Sequence, residues 1–331
     1  MNQKLHLIFN PVAGQGEAEA ELSEICSALQ SKFELTVYQT TPDEEADFLA
    51  HKAVEQGAKL IVVSGGDGTV SSVTSALLNS DVCLGIIPRG TANAFAKALS
   101  IPENISAACE VILSGSEQKL DMALCNDRPM LLLAGVGFEA KTIERTDREA
   151  KNKLGSLAYL VSGLRELKDF DRFDVKIETE SGQMQTTAAA VTVANAAPAT
   201  SVLAQGPDQI EVDDGLLDIT IVAPESISDA IAASYELLRS AITNDHAQLE
   251  NIGHFRAKQV KIITQPPQKV VLDGEMIGQT PIEVQCLPNN LTVLVPESTA
   301  SETAEKFQKK STRVTLANKM RDWWQSWTEE A

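Results

Sequence analysis

The hydrophobic and polar positions of this chain follow two rhythms, and the change between them falls about a third of the way along. Residues 5–10 (LHLIFN) form a short apolar run, PVAGQG breaks it, and residues 18–29 then carry apolar positions at helical spacing through Leu22, Ile25 and Leu29. That reads as strand, loop, helix. The order recurs: residues 34–38 alternate as a strand does, 43–55 have helical spacing, and 59–63 (KLIVV) is an uninterrupted apolar strand ending at SGGDGT. Residues 70–78 then suit a helix, 83–87 a strand and 91–99 a helix. Strands alternating with helices in this way predict a largely parallel sheet covered by helices on both faces.

Beyond about residue 120 the texture changes. Runs at 130–135, 173–180, 188–194, 217–222, 260–264, 269–272 and 291–295 read as strands, with helical segments near 154–168 and 227–242 between them. The second unit is therefore expected to be β-rich with helical insertions. Residues 297–305 are polar and read as a linker, and 307–327 as a separate helix. The expected organisation is an α/β unit over 1–122, with the strand near 291–296 a candidate to complete its sheet, a β-rich unit over 123–298, and a tail over 299–331.

At 331 residues, 43% hydrophobic and 22% charged, the chain has the length for two cores and the composition of an ordinary water-soluble protein. No stretch reaches the roughly 18 consecutive apolar residues of a membrane span, and the first residues lack the pattern of a secretory signal, so a cytoplasmic location is expected. Five scattered cysteines, Cys26, Cys83, Cys109, Cys125 and Cys286, lack the spacing of metal ligands and read as small buried thiols. A net charge of -18 argues against a nucleic-acid partner, since affinity for polyanions comes from Lys and Arg neutralising phosphates.

The chemistry concentrates in loops after strands. Ser64-Gly65-Gly66-Asp67-Gly68-Thr69 follows a buried strand and precedes a helix. Glycines let backbone approach a polyphosphate closely, and a helix start offers unpaired N–H groups and a positive dipole end. Asp67, among those glycines with no basic neighbour, could act through a magnesium ion and its waters. The segment also reads as a glycine-rich turn with Asp67 as a helix cap. Two further loops, 10–14 (NPVAG) and 88–93 (PRGTAN), end neighbouring strands, and ligands in open α/β sheets bind outside the carboxyl ends of strands, so the three define one crevice. Thr40, at the end of the second strand, is a candidate to line it, and equally an ordinary capping threonine.

Together these motifs resemble the diacylglycerol kinase and sphingosine kinase catalytic-domain family, especially soluble bacterial lipid kinases. The residues are NPVAG (10–14), GGDGT (65–69), PRGTANAFA (88–96), Leu120-Asp121, DDGLLD (213–218) and LDGE (272–275), and the match covers roughly residues 4–296. GGDGT alone is shared with NAD kinases, which keeps a soluble-substrate kinase as an alternative; GGDGT with GTAN and a late DGE is far more specific. The resemblance implies an NAD kinase/diacylglycerol kinase-like nucleotide-binding α/β domain, a C-terminal β-sandwich domain, ATP and Mg2+, and transfer of the γ-phosphate to a lipid hydroxyl in the cleft between domains.

The same resemblance assigns roles. Glu275 matches the general base, and Asp67 and Asp121 match acidic positions near the magnesium network. Gly66, Gly68, Thr69 and Thr91 match nucleotide contacts; Asn10, Thr40, Gly65, Asp67, Gly90 and Asn93 are further candidates for the nucleotide from their place around the crevice. Within DDGLLD, Asp214 would supply a carboxylate and Glu211 and Leu216 carbonyls to a structural magnesium ion. On residue pattern alone LDGE is a hairpin turn, and Asp213, Asp214 and Gly215 are turn formers. Many bacterial relatives carry Asp where this chain has Ala94, and Asn-Glu where it has Ser71-Ser72, which keeps a nucleotide-sensing, membrane-associated binding protein without catalysis as a further alternative.

The last segment has its own character. Six basic and no acidic residues lie between Lys306 and Arg321, and all three tryptophans follow at Trp323, Trp324 and Trp327. A helix would align Leu316, Met320, Trp323 and Trp327 on one face with Lys319 and Arg321 beside it. That is the composition of a helix lying on an anionic membrane, where a lipid substrate resides, or of one docked on protein.

Overall fold

A computed structural model describes residues 3–14, 16–137, 172–197, 210–223 and 252–297. The helical segments expected near 154–168 and 227–242, and the tail over 299–331, lie outside the described residues. In chain order the first unit runs β1 (Gln3–Phe9), α1 (Ala18–Leu29), β2 (Phe33–Gln39), α2 (Ala46–Glu55), β3 (Leu60–Gly65), α3 (Asp67–Ala76), β4 (Cys83–Pro88), α4 (Ala94–Ala98) and α5 (Ile105–Ser114). Then come β5 (Ser116–Cys125), β6 (Arg128–Met130), β7 (Leu133–Gly137), β8 (Phe173–Thr179), β9 (Gly182–Ala188), β10 (Ala190–Ala194) and β11 (Leu217–Val222). The last are β12 (Ile252–Ala257), β13 (Gln259–Gln265), β14 (Lys269–Leu272), β15 (Glu275–Gln279) and β16 (Ile282–Val295).

The first unit is an α/β layer. β2, β1, β3 and β4 lie side by side and parallel, and alternate residues of each strand feed two cores. Ile8, Ile61 and Val63 meet Leu49 and Ala53 of α2, Val70 and Val73 of α3 and Phe95 of α4. Leu7, Phe9, Leu60 and Val62 meet Ile25 and Leu29 of α1 and Cys109 and Ile112 of α5. A sheet covered on both faces needs apolar residues at every strand position, which is why β3 and β4 are buried throughout.

The second unit is a β-sandwich. An antiparallel sheet in the order β12-β11-β10-β7-β14-β15 packs against β13, β8, β9 and the first part of β16, with Val136, Val191, Val193, Ile219, Phe173, Ile177, Val260 and Val284 between the layers. β16 belongs to both units. Its first part pairs antiparallel with β13, and its last part lies parallel to β4 through Thr292↔Cys83 and Val293↔Leu84. β5 runs antiparallel along β16, with a register break between Leu287 and Leu291 where Asn289 takes a positive φ. Among the described residues no helix is long and apolar enough to cross a membrane, and all five cysteines are free thiols.

Two of the boundaries that differ from the sequence-based expectation do so for local reasons. α3 starts at Asp67 rather than near residue 70, because Gly66 is extended (φ −93°, ψ −177°) and lets the chain turn into the helix at once. α4 covers only Ala94–Ala98 of the expected 91–99. Asn93, at φ 49°, accepts from the Gly90 N–H (2.7 Å) and donates to the Gly90 carbonyl (3.0 Å), holding residues 90–93 as a turn.

Candidate functional site

Three loops leave the carboxyl ends of adjacent strands β1, β3 and β4 and are laced together by backbone. The Asn10 N–H donates to the Ser64 carbonyl (2.9 Å) and the Arg89 N–H to the Gly65 carbonyl (2.8 Å). Asn10 Nδ2 reaches Thr69 Oγ1 (2.9 Å). Gly66 and Gly90 pack backbone against backbone: a Cβ on Gly90 would stand 2.6 Å from Gly66 Cα, closer than Cβ atoms come to anything. Gly68 is the opposite case, exposed with nothing within 4 Å of where its Cβ would be. The helix start is likewise bare, since Gly66 gives α3 no side-chain cap. Unpaired N–H groups and a dipole end thus face open space, which is the physical requirement for gripping phosphate.

Asp67 is a cap, but of another helix. Its Oδ1 accepts from the Phe95 N–H (3.3 Å) at the start of α4. Burial raises its pKa above the ordinary carboxylate range, and N–H groups of Phe95, Ala94 and Asn93 pull part of that back. The basic residue of the three loops, Arg89, is unavailable to a ligand. Its side chain is 2% exposed and lies over the Phe9 ring, 4.2 Å from the centroid. Nη1 donates to the Asn10 carbonyl (2.9 Å), Nη2 to the Ala13 carbonyl (2.7 Å), and Nε to Glu21 Oε2 (2.7 Å), which Nη2 also meets. Arg89 is a staple that fixes the NPVAG loop to β4. The sequence reading passed over it and Glu21; the signal was a lone Arg among small residues, whose partner sits 68 positions away.

That arrangement bears on magnesium. A triphosphate on these loops would meet backbone N–H groups and a buried carboxylate, but no free cation from the loops themselves. Hard divalent ions favour carboxylate and phosphate oxygens together, so the donor set around Asp67 fits Mg2+.

The turn that precedes Glu275 meets α3 from the second unit. Asp273 (φ 48°) and Gly274 (φ 91°) form a two-residue turn between β14 and β15, the positive-φ pair that tight hairpins require, and Glu275 is the first residue beyond it. The Asp273 carboxylate accepts from the N–H groups of Leu131 (2.8 Å), Leu132 (2.9 Å) and Leu133 (2.9 Å), and from Ser71 Oγ of α3 (3.3 Å). The hairpin tip is therefore tied to the helix whose first turn is the bare cradle. Glu275 itself is exposed.

The remaining candidates sort by position. Thr40 is half-buried just past β2, its N–H bonded to the Phe9 carbonyl (2.9 Å), and Thr91 is exposed on the β4 loop. Asp121 is only 2% exposed on β5 and belongs to a different cluster. Its Oδ2 accepts from the Gly215 N–H (2.6 Å) and its Oδ1 from the Asn289 N–H (2.8 Å), clamping the DDGLLD loop to β16. In that loop Asp214 accepts from the Leu216 N–H (3.0 Å) and from Arg256 Nη1 (3.2 Å), so a cation held by Glu211, Asp214 and Leu216 would share the carboxylate with a guanidinium. Arg256 also bonds Asp218 (2.9 Å), beside His254 Nε2 (3.0 Å); neither β12 residue was singled out from sequence, because that strand carries no clean alternation. The loop precedes β11 and Glu275 opens β15, four strand positions apart, or roughly 19 Å at the usual inter-strand spacing.

Comparisons with known proteins give the family and the fold. Residues 4–125 match the family model of the diacylglycerol kinase catalytic domain, and 133–295 that of the YegS C-terminal NAD kinase beta sandwich-like domain. A probable lipid kinase, YegS-like, from Alcanivorax borkumensis is 32% identical over 90% of this chain and 98% of its own. The diacylglycerol kinase of Bacillus subtilis is 28% identical over 91% and 99%. The crystal structure of a putative diacylglycerol kinase from Bacillus anthracis superimposes with a TM-score of 0.78 at 31% identity, covering 90% of this chain and 96% of that one.

Proposed function

Since the chain belongs to the family of diacylglycerol kinase catalytic-domain and YegS-like lipid kinases, we propose that it transfers the γ-phosphate of ATP to the hydroxyl of a diacylglycerol-like membrane lipid. The observation that supports this reading is the hydrogen bond from Ser71 to Asp273, which ties the turn preceding the exposed Glu275 to the helix that begins as the proposed phosphate cradle. Phosphoryl transfer asks little covalent chemistry of the protein and much positioning.

In this reading the triphosphate lies over Gly66, Gly68 and Gly90, gripped by the first-turn N–H groups of α3, with Asn10 and Thr69 fixing the rim. Glu275 accepts the proton of the lipid hydroxyl as its oxygen attacks the γ-phosphorus, and ADP leaves. When bound beside Asp67, Mg2+ supplies the positive charge that the loops lack. Asp121 acts at a distance, by holding the 213–216 loop and β16 in register. Glu211, Asp214 and Leu216 form a separate proposed site for a structural cation. The acceptor comes from a membrane surface, and the basic, tryptophan-tipped stretch at 306–327 is the proposed peripheral contact with it.

The test is incubation of the pure protein with labelled ATP and Mg2+ and either a total lipid extract or NAD, followed by separation of the labelled products. Label in a lipid, lost in Glu275→Gln with the fold intact, is the expected result. Label in NAD alone, or full turnover by that variant, would refute it.

A further inference from the structure

Asp273 has an unusual allocation of partners. Three of its four donors are consecutive N–H groups, Leu131 to Leu133, which bind the turn to the chain entering β7. The fourth, Ser71 Oγ, comes from the other unit and from the nucleotide helix itself. Ser71 is free to make this bond because it does not turn back on its own helix. Its neighbours do: Thr74 and Ser75 donate to carbonyls one turn earlier, including that of Ser71. Ser71 lies four residues into α3, about 6 Å along the axis from the first-turn N–H groups. Glu275 follows Asp273 by two residues, at most about 7 Å of chain. A single hydroxyl thus spans the gap between the group that grips phosphate and the turn that carries the base.

We propose that Ser71 and Asp273 are positioning residues: their hydrogen bond sets the placement of the Glu275 carboxylate relative to the phosphate cradle, and so the rate of proton removal from the acceptor. The inference rests on the lipid-kinase reading with Glu275 as base, and it deepens that reading by naming what aligns the base. Neither residue touches substrate. Removing the hydroxyl leaves Asp273 with its three N–H donors, so the hairpin keeps its fold and loses only its tether to α3.

The experiment compares wild type, Ser71→Ala, Ser71→Thr and Glu275→Gln, reading kcat on a total lipid extract, equilibrium binding of ATP with Mg2+, and amide hydrogen exchange over residues 131–133 and 270–279. A misplacement near 1 Å can cost about 100-fold, so Ser71→Ala should lower kcat roughly 10- to 100-fold. ATP affinity should stay within about twofold and Ser71→Thr, which keeps the donor, should recover most of the loss. Exchange at Glu275 and Met276 should quicken while Leu131 to Leu133 stay protected. A Ser71→Ala enzyme with wild-type kcat, beside an inactive Glu275→Gln, would overturn the tether and leave the kinase reading standing. So would loss of ATP binding in parallel with turnover, since Ser71 would then be a nucleotide contact. A wild type that phosphorylates no lipid overturns both.

Discussion

Gly68 and Gly90 should respond to the same substitution in opposite ways. Neither has a left-handed φ, so an alanine at either is judged by space alone. Gly90→Ala puts a Cβ 2.6 Å from Gly66 Cα and 2.9 Å from Asn93 Oδ1; the first contact is 0.8 Å short of the 3.4 Å at which ordinary contact begins. The obstacle is backbone, and no rotamer relieves it. Overpacking of this kind costs about 1–3 kcal/mol, and parting the two loops by most of an ångström costs ATP-dependent turnover about 100-fold. For a unit of this size each kcal/mol lowers Tm by about 2–4 °C. Gly68→Ala meets nothing in the protein and places a better helix former in α3, at a gain of at most about 1 kcal/mol. Its methyl projects into the open space assigned to phosphate, so ATP binding should weaken at least about tenfold while Tm holds or rises. Thermal melts and equilibrium ATP binding on the two variants decide the matter. Full ATP affinity in Gly68→Ala would mean that the space above Gly68 is not the phosphate site, and an unchanged Tm in Gly90→Ala would mean that the loops are not packed as described.

Other expectations follow from the same site. Asp67→Asn should lose turnover yet raise Tm at neutral pH, because it removes a largely desolvated charge that the N–H groups of Phe95, Ala94 and Asn93 compensate only in part. Burial raises the folded-state pKa of Asp67, Asp121 and Asp273, so the native state holds these protons more tightly than the unfolded chain. Their contribution to stability therefore declines as pH rises from the unfolded value of 3.8 through the raised ones, and the Tm advantage of Asp67→Asn should shrink as pH is lowered from neutral toward 3.8. Melts at the two pH values check the sign. Arg89→Met should lower Tm and free the Ala13 and Gly14 amides for hydrogen exchange, with ATP binding weakened although the residue contacts no ligand; unchanged exchange would remove the staple. If the 211–216 loop takes a cation, millimolar Mg2+ without ATP should raise the wild-type Tm and leave Asp214→Asn unmoved; equal responses would discard that site.

Much of the crevice could be read from the chain because its parts are local. A glycine run between a buried strand and a helix states its own geometry, and β3-GGDGT-α3 has the expected order with the strand and helix ends shifted by one to three residues. The hairpin at LDGE was likewise written in an Asp-Gly pair. What sequence could not give were contacts made across long separations. Glu21 with Arg89 is one, Ser71 with Asp273 another at 202 positions, and Asp121 with Gly215 a third. Each depends on where the sheets deliver two loops, and residue type alone does not say. β9 and β12 were missed for a different reason. The first is mostly polar and the second, Ile252–Ala257, mixes Gly, His and Arg with apolar residues, so neither shows a period.

The placement of β16 has a consequence for synthesis on the ribosome. Every other parallel strand of the first sheet is complete by Pro88, but the neighbour of β4 on its far side is the stretch around Thr292 and Val293. More than half of the polypeptide must be translated before that edge is covered. The first unit cannot mature as an early, self-contained product that waits for its partner. It reaches its final form only when the other half has emerged as well, so the two are committed to finishing together.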